Sequence, residues 1–244
     1  GNRGSNLGVN GSYRKGKMGF NLGGHGRLFY NPALSSFDQN TITPTASIRT
    51  LQEVESFDRG GFGHYNLAWD WDLAKNQNLS ANARLGVRNR NSEQDMDISL
   101  FQDQLLKSSS FRQVDSRDNS ASMDFNLDYL RTYKPQREWS ISSQYSRNDL
   151  TNNFDSDLFT SDEITMLSSQ RNINNNLNQE VTLQTDYQTP IGQRQLVEVG
   201  GKSIVRMVDS DYSYFLSEGS SGVYNVDLSR PAGALDYQQN VAAG

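Results

Sequence analysis

The chain has only two histidines, His25 and His64, and metal binding is the first chemistry they suggest. Zinc takes imidazole nitrogen, but its protein sites add further ligands at recurring spacings. No such spacing surrounds these two, and hydrogen-bonded side chains on a polar strand face are the simpler reading. Acidic residues alternate in three places: Glu93, Asp95 and Asp97; Asp155 and Asp157; Asp209 and Asp211. Hard cations such as Ca2+ need several oxygen ligands on a flexible loop. None of the three has the glycine turn and closing Glu of an EF-hand loop, so they read as solvated charge. Gly23-Gly24-His25-Gly26 and Gly60-Gly61-Phe62-Gly63 lack the Lys-Ser/Thr and following helix of a phosphate loop. Glycine within a strand instead relieves crowding or permits a bend. There is no Gly-x-Ser-x-Gly and no hydrolase histidine pair, and no apolar pocket is evident to raise one of two paired carboxylates. The residues point to no catalytic, metal or cofactor site, and the chain is not expected to be an enzyme.

Aromatic rings raise a different question. Phe101, Phe111, Phe154, Phe159, Tyr212, Tyr214 and Phe215 fall in strongly polar stretches. Rings exposed there pack against one another or meet a ligand such as a sugar or a planar chelate. The stretches are also acidic. Residues 31–59, 91–119, 147–171 and 207–236 hold 8 Lys/Arg against 20 Asp/Glu, whereas the remainder holds 15 against 8. Nucleic acid is not an expected partner, because phosphate binding wants a basic surface.

The elements that must position these residues follow from composition and period. With 34% hydrophobic residues in 244 positions, an ordinary globular core is hard to fill. The 11 Tyr, 11 Phe and 3 Trp argue against disorder. No run approaches the roughly 18 apolar residues of a membrane helix. The absence of Cys excludes disulfides and thiolate sites. Turn chemistry recurs at Arg14-Lys15-Gly16-Lys17, Lys75-Asn76-Gln77-Asn78, Lys134-Pro135-Gln136-Arg137 and Thr189-Pro190-Ile191-Gly192, at spacings of 61, 59 and 55 residues. Each turn joins two segments that alternate apolar and polar with period two, the mark of a strand. Hairpins are thus expected at about 5–30, 60–90, 120–146 and 172–206, with the four acidic stretches as long loops between them. A ninth strand begins near Gln239.

Alternation alone is silent on which face is inside. A soluble or cell-surface β-sandwich binding module and a membrane barrel write the same string. Short turns at one end and long loops at the other favour the barrel. So do aromatics beside the short turns, Tyr13, Trp71, Tyr133, Trp139 and Tyr187, which suit an interfacial girdle facing lipid. The opposite faces carry His25, Arg27, His64, Asp70, Asp72, Arg84, Arg88, Asp124, Asp128 and Glu180, which would then face the lumen. Asp70 or Asp72 is expected to pair with Arg84 or Arg88 across neighbouring strands. The expected fold is all-β: one antiparallel, up-and-down transmembrane β-barrel segment of about eight strands plus the start of a ninth. Eight strands could close a small structural barrel. A chain entering at its first strand and stopping within its ninth reads instead as a wall piece of a larger one, since open edges are not tolerated in lipid.

Two segments carry a resemblance. Leu7 to Met18, LGVNGSYRKGKM, resembles the strand–turn–strand hairpin of TonB-dependent outer-membrane receptors of the Bacteroidota type. Ala234 to Gly244, ALDYQQNVAAG, is similar to the point where a long extracellular loop of that family re-enters the membrane. The resemblance implies a 22-stranded barrel with an N-terminal plug, driven through a TonB box by an inner-membrane complex and importing a siderophore, vitamin or glycan. Its environment would be the outer-membrane bilayer of a Gram-negative cell. Its partners would be plug, TonB complex and a small-molecule or glycan substrate.

Overall fold

The computed structural model describes residues 2–43, 46–192, 195–226 and 233–244. The strands in chain order are β1 (Arg3–Lys15), β2 (Met18–Ile42), β3 (Ser47–Ala74), β4 (Gln77–Gln102), β5 (Leu105–Lys134), β6 (Arg137–Thr160), β7 (Met166–Ile191), β8 (Gln195–Glu218), β9 (Asn225–Val226) and β10 (Gly233–Ala243). They form one antiparallel sheet in the order β1-β2-β3-β4-β5-β6-β7-β8-β10, with β9 pairing onto β8. The sheet is open, with β1 and β10 at its edges. Among the described residues no second sheet or helix covers it.

The short turns fall within the segments that turn chemistry marks: Gly16–Lys17, Lys75–Asn76, Pro135–Gln136 and the bend at Gly192. Gly16 and Gly192 adopt positive φ of 58° and 68°, a conformation glycine reaches without strain. The four acidic stretches do connect the hairpins, but they are not irregular loops. Pairing continues through most of them, from Asn31↔Asp58 to Ile42↔Ser47 and from Asn91↔Arg117 to Gln102↔Leu105. The turn closing β4 onto β5 is only Asp103–Gln104, both at positive φ, as a hairpin of type I′ requires. Strands of 24 to 30 residues far exceed the roughly 9–11 that cross a membrane. The sheet therefore has a lower half beside the short turns and an upper half built from the acidic stretches.

Register assigns faces. One face carries all three tryptophans, the other both histidines. On the tryptophan face one rung reads Tyr13, Phe20, Trp69, Ala81, Leu127, Ser143 and Leu183 across β1 to β7. The rung at mid-height reads Leu22, Leu67, Ala83, Phe125, Tyr145, Val181 and Val205. These side chains meet no second layer and stay about half exposed: Leu67 is 50%, Phe125 42% and Leu183 52% exposed. Trp69, Phe125 and Leu183 meet at no dry centre. The described apolar core consists of Val54 and Tyr214, both on the histidine face by register.

The ninth strand differs from expectation. Apart from the two-residue β9, the next strand, β10, starts at Gly233 rather than near Gln239. Its register places Leu235, Tyr237 and Val241 opposite Ser210, Val208 and Ile204, so its apolar residues share the histidine face.

Candidate functional site

The site is the wall itself, and its chemistry is divided by face. Every residue expected on the polar side lies on the histidine face. His25 and His64 are direct cross-strand partners, with ring centroids 5.8 Å apart, and Phe62 lies 6.3 and 6.4 Å from them. Arg27, Phe62 and Arg88 form the next rung. Arg84 stands opposite Asp124, and Glu180 opposite Arg206. Two bonds of 2.8 and 2.5 Å hold Arg206 to Glu180. Asp128 accepts from Ser142 at 2.5 Å. Among the described residues, no group of three or more His, Cys, Asp or Glu is placed to hold a metal ion.

The expected pairing of Asp70 and Asp72 with Arg84 or Arg88 is not formed. Arg14 of β1 reaches both instead, at 3.1 Å to Asp70 and 2.6 Å to Asp72. Arg14 and Asp70 stand on either side of Gly19 in register, and a Cβ at Gly19 would collide with the Asp70 carboxylate. The missing side chain lets a guanidinium cross an intervening strand. Arg88 pairs with Asp118 at 3.2 Å and Arg90 with Asp58 at 2.9 Å.

On the tryptophan face, Tyr13, Trp71, Tyr133, Trp139 and Tyr187 all sit within a few residues of the short turns. Trp69 and Tyr129 extend this row, with Trp69 5.9 Å from Trp71 and Tyr129 6.0 Å edge-on to Trp139. The Trp139 Nε1–H donates to Thr185 Oγ1 at 3.0 Å. Arg131 lies 4.7 Å over the Tyr133 ring. Higher on this face, Tyr65 lies across the two glycine motifs: its ring sits where Cβ atoms of Gly24 and Gly63 would stand. These glycines permit close approach of a ring to backbone, and no phosphate cradle forms.

The seven aromatic candidates lie within strands rather than loops, and they do not converge. Phe111 and Phe159 pair at 6.1 Å, Phe154 and Tyr214 at 6.3 Å edge-on, and Arg49 stands 5.8 Å over Phe101. Tyr212 lies opposite Asn174, and Phe215 opposite Arg171. Tyr214 is 2% exposed, and its hydroxyl donates to Gln170 at 2.7 Å.

Eight of the upper acids share the tryptophan face: Glu53, Glu55, Glu93, Asp95, Asp97, Asp115, Asp155 and Asp157 occupy consecutive rungs. Partial burial, then Glu55, Glu93 and Asp97, raise the Asp95 carboxyl above its ordinary range. Burial and the surrounding acids do the same to Asp115. Arg59 is bound to Glu93 at 2.6 Å and Arg171 to Asp155 at 2.5 Å. Sequence alternation identifies the acids in clusters of two or three. Their assembly across four strands depends on register, which no local pattern specifies.

Residues 130–244 match the outer membrane protein beta-barrel family. No curated protein matches the chain. The match runs from the end of β5 through β10, and the rest continues the same sheet by unbroken pairing. Up-and-down antiparallel strands, a solvent-facing apolar face and this match make the chain part of an outer-membrane β-barrel, and the outer membrane is where it resides.

Proposed function

We propose that this chain is wall of a TonB-dependent transporter barrel that takes up a nutrient across the outer membrane. In this reading the tryptophan face meets lipid, the histidine face lines the lumen against a plug, and the short turns face the periplasm. The observation that carries it is the pairing of two unlike faces on one open sheet. Large apolar side chains stand unburied on one side, while arginines, carboxylates and amides linked by ion pairs stand on the other. In water the first face costs about 25 cal/mol for every Å2 of apolar surface left wet. Facing hydrocarbon removes that cost, and the second face then encloses a polar interior such as transporters keep. The resemblance of Leu7 to Met18 and Ala234 to Gly244 to TonB-dependent receptors, together with upper strands that stand well above the bilayer, supports transport over a purely structural barrel.

Two measurements test this. Quenching by brominated lipid of a fluorophore on Cys substituted at Leu67 should be strong, and at Arg84 weak; the reverse would end the facing assignment. Uptake of radiolabelled ferric siderophore, corrinoid and oligosaccharide should fall for at least one compound when the gene is deleted. The same uptake should collapse with an uncoupler. Uptake of all three unchanged by deletion would end the transport reading.

A further inference from the structure

The tryptophan face carries a feature that general contact with lipid does not require. On β2 and β3 the positions Gly26, Gly61 and Gly63 have no side chains, and Leu7, Leu28, Tyr65 and Val87 stand around them. The result is an apolar groove of about 930 Å3. It runs upward to Asn89, which also lines a second, polar hollow of about 730 Å3. Arg59, Arg117, Asn119 and Asn153 line the lower part of that hollow, and Glu93, Asp115 and Asp155 line it one rung higher. Arg59 is oriented by Glu93. Arg117 is exposed and makes no ion pair among the described residues. The Asn119 Oδ1 is buried with no hydrogen-bond partner. A greasy trough thus opens into a pocket that offers guanidinium and amide groups at its lower end and carboxylates at its upper end, on the side away from the short turns.

We propose that this trough and hollow bind one phosphate-bearing lipid of the outer leaflet. An acyl chain lies in the glycine trough, the phosphate meets Arg117 and Arg59, and the Asn side chains meet headgroup hydroxyls. Guanidinium suits phosphate because its planar fork donates two parallel hydrogen bonds to one oxyanion. The trough suits a chain because a rigid furrow in a hydrocarbon-facing wall is filled by the flexible molecule beside it, which keeps dispersion contacts that a void would forfeit. The carboxylates one rung higher, Glu93, Asp115 and Asp155, confine the phosphate to the arginine level by repulsion. This inference rests on the reading that the tryptophan face meets lipid.

The test uses protein extracted from outer membranes in mild detergent and native mass spectrometry, with diphosphoryl lipid A, its dephosphorylated form and inorganic phosphate as probes. Diphosphoryl lipid A should remain bound to the wild type, and the dephosphorylated form about tenfold less. Millimolar inorganic phosphate should not displace it. Arg117→Gln should weaken retention about tenfold, with Arg117→Lys between the two. Val87→Trp, which fills the trough from its rim, should weaken both lipids alike. Equal retention by Arg117→Gln and wild type would overturn the phosphate contact; equal retention by Val87→Trp would overturn the trough. Displacement by inorganic phosphate alone would overturn a lipid as the occupant. Brominated-lipid quenching at Leu67 separates these failures from a failure of the facing assignment, because it reads lipid contact whether or not any lipid is held.

Discussion

Ala83→Arg is the substitution on which the facing assignment makes its sharpest demand. Ala83 lies on the tryptophan face of β4 between Leu67 and Phe125 in register. The apolar stretch of that face on β4 begins at Leu79 and gives way to Asn89. Ten residues at about 3.3 Å each, tilted about 45°, rise about 23 Å, close to the height of a barrel's apolar band. Ala83 is four residues above Leu79, about 9 Å into the band and near its middle. A guanidinium at that depth costs about 2–4 kcal/mol, or roughly 30- to 700-fold in the folding equilibrium at about 1.4 kcal/mol per factor of ten. The control is Ser80→Arg, three residues away on the histidine face, where register flanks it with Asp70 and Asp128. That variant should change stability by less than about 1 kcal/mol, because the new charge meets carboxylates rather than hydrocarbon. Urea titration of the chain folded into phosphocholine vesicles, read by heat-modifiable mobility, measures both. Equal costs for the two variants, or a larger cost for Ser80→Arg, would refute the argument.

Three further outcomes follow from particular contacts. Arg14→Gln removes both bonds to Asp70 and Asp72, yet all three groups are more than a third exposed, so the loss should be under about 1 kcal/mol; a vesicle unfolding titration should also show it shrinking at high salt. Gly63→Val places a branched side chain where the Tyr65 ring lies and should cost about 1–3 kcal/mol, while Gly63→Val with Tyr65→Ala should recover part of it, by the same titration. Asp95 and Asp115 titrate above the ordinary carboxylate value of 3.8. A raised carboxyl pKa means that the folded sheet binds more protons than the unfolded chain, so stability falls as pH rises from 3.8 through the raised values. Hydrogen exchange should therefore show the backbone of 91–99 and 109–117 better protected at mildly acidic than at neutral pH. Asp115→Asn should flatten that dependence, and unchanged protection across the window would contradict the assignment.

What the sequence conveyed depends on where a residue's surroundings differ between its two faces. In the lower half the proposed facing sets one face against hydrocarbon and the other against a polar interior, and Tyr65, Leu67, Trp69 and Trp71 alternate cleanly with His64, Asn66, Asp70 and Asp72. The turns were equally legible, because Lys-Pro-Gln-Arg and Arg-Lys-Gly-Lys carry their own conformational preferences. In the upper half Leu51, Phe57 and Phe111 lie on the acidic face while Val54, Met96 and Val114 lie on the other. Period two disappears there although the ladder continues, so paired strands read as loops. The Arg14 bridge was hidden for a different reason: it spans two strands over Gly19, and a rule for neighbouring strands points to Arg84 or Arg88 instead. The inverted facing of β10 has no account in its own alternation.

The height at which the tryptophan face loses its apolar residues differs from strand to strand. On β2 Leu28, Tyr30, Pro32 and Leu34 carry it well above the Leu22 rung; on β6 it ends at Tyr145, beyond which come Arg147 and Asp149. Tyr145 shares its rung with Phe125, Ala83, Leu67 and Leu22. The apolar boundary therefore falls between β2 and β6. A soluble sheet has no cause to grade its surface in this way, since water lies at every height. A flat bilayer edge crossing tilted strands requires such a grade, and on the proposed facing Glu93, Asp115 and Asp155 stand above that edge while Ala83, Phe125 and Val181 lie in the apolar band.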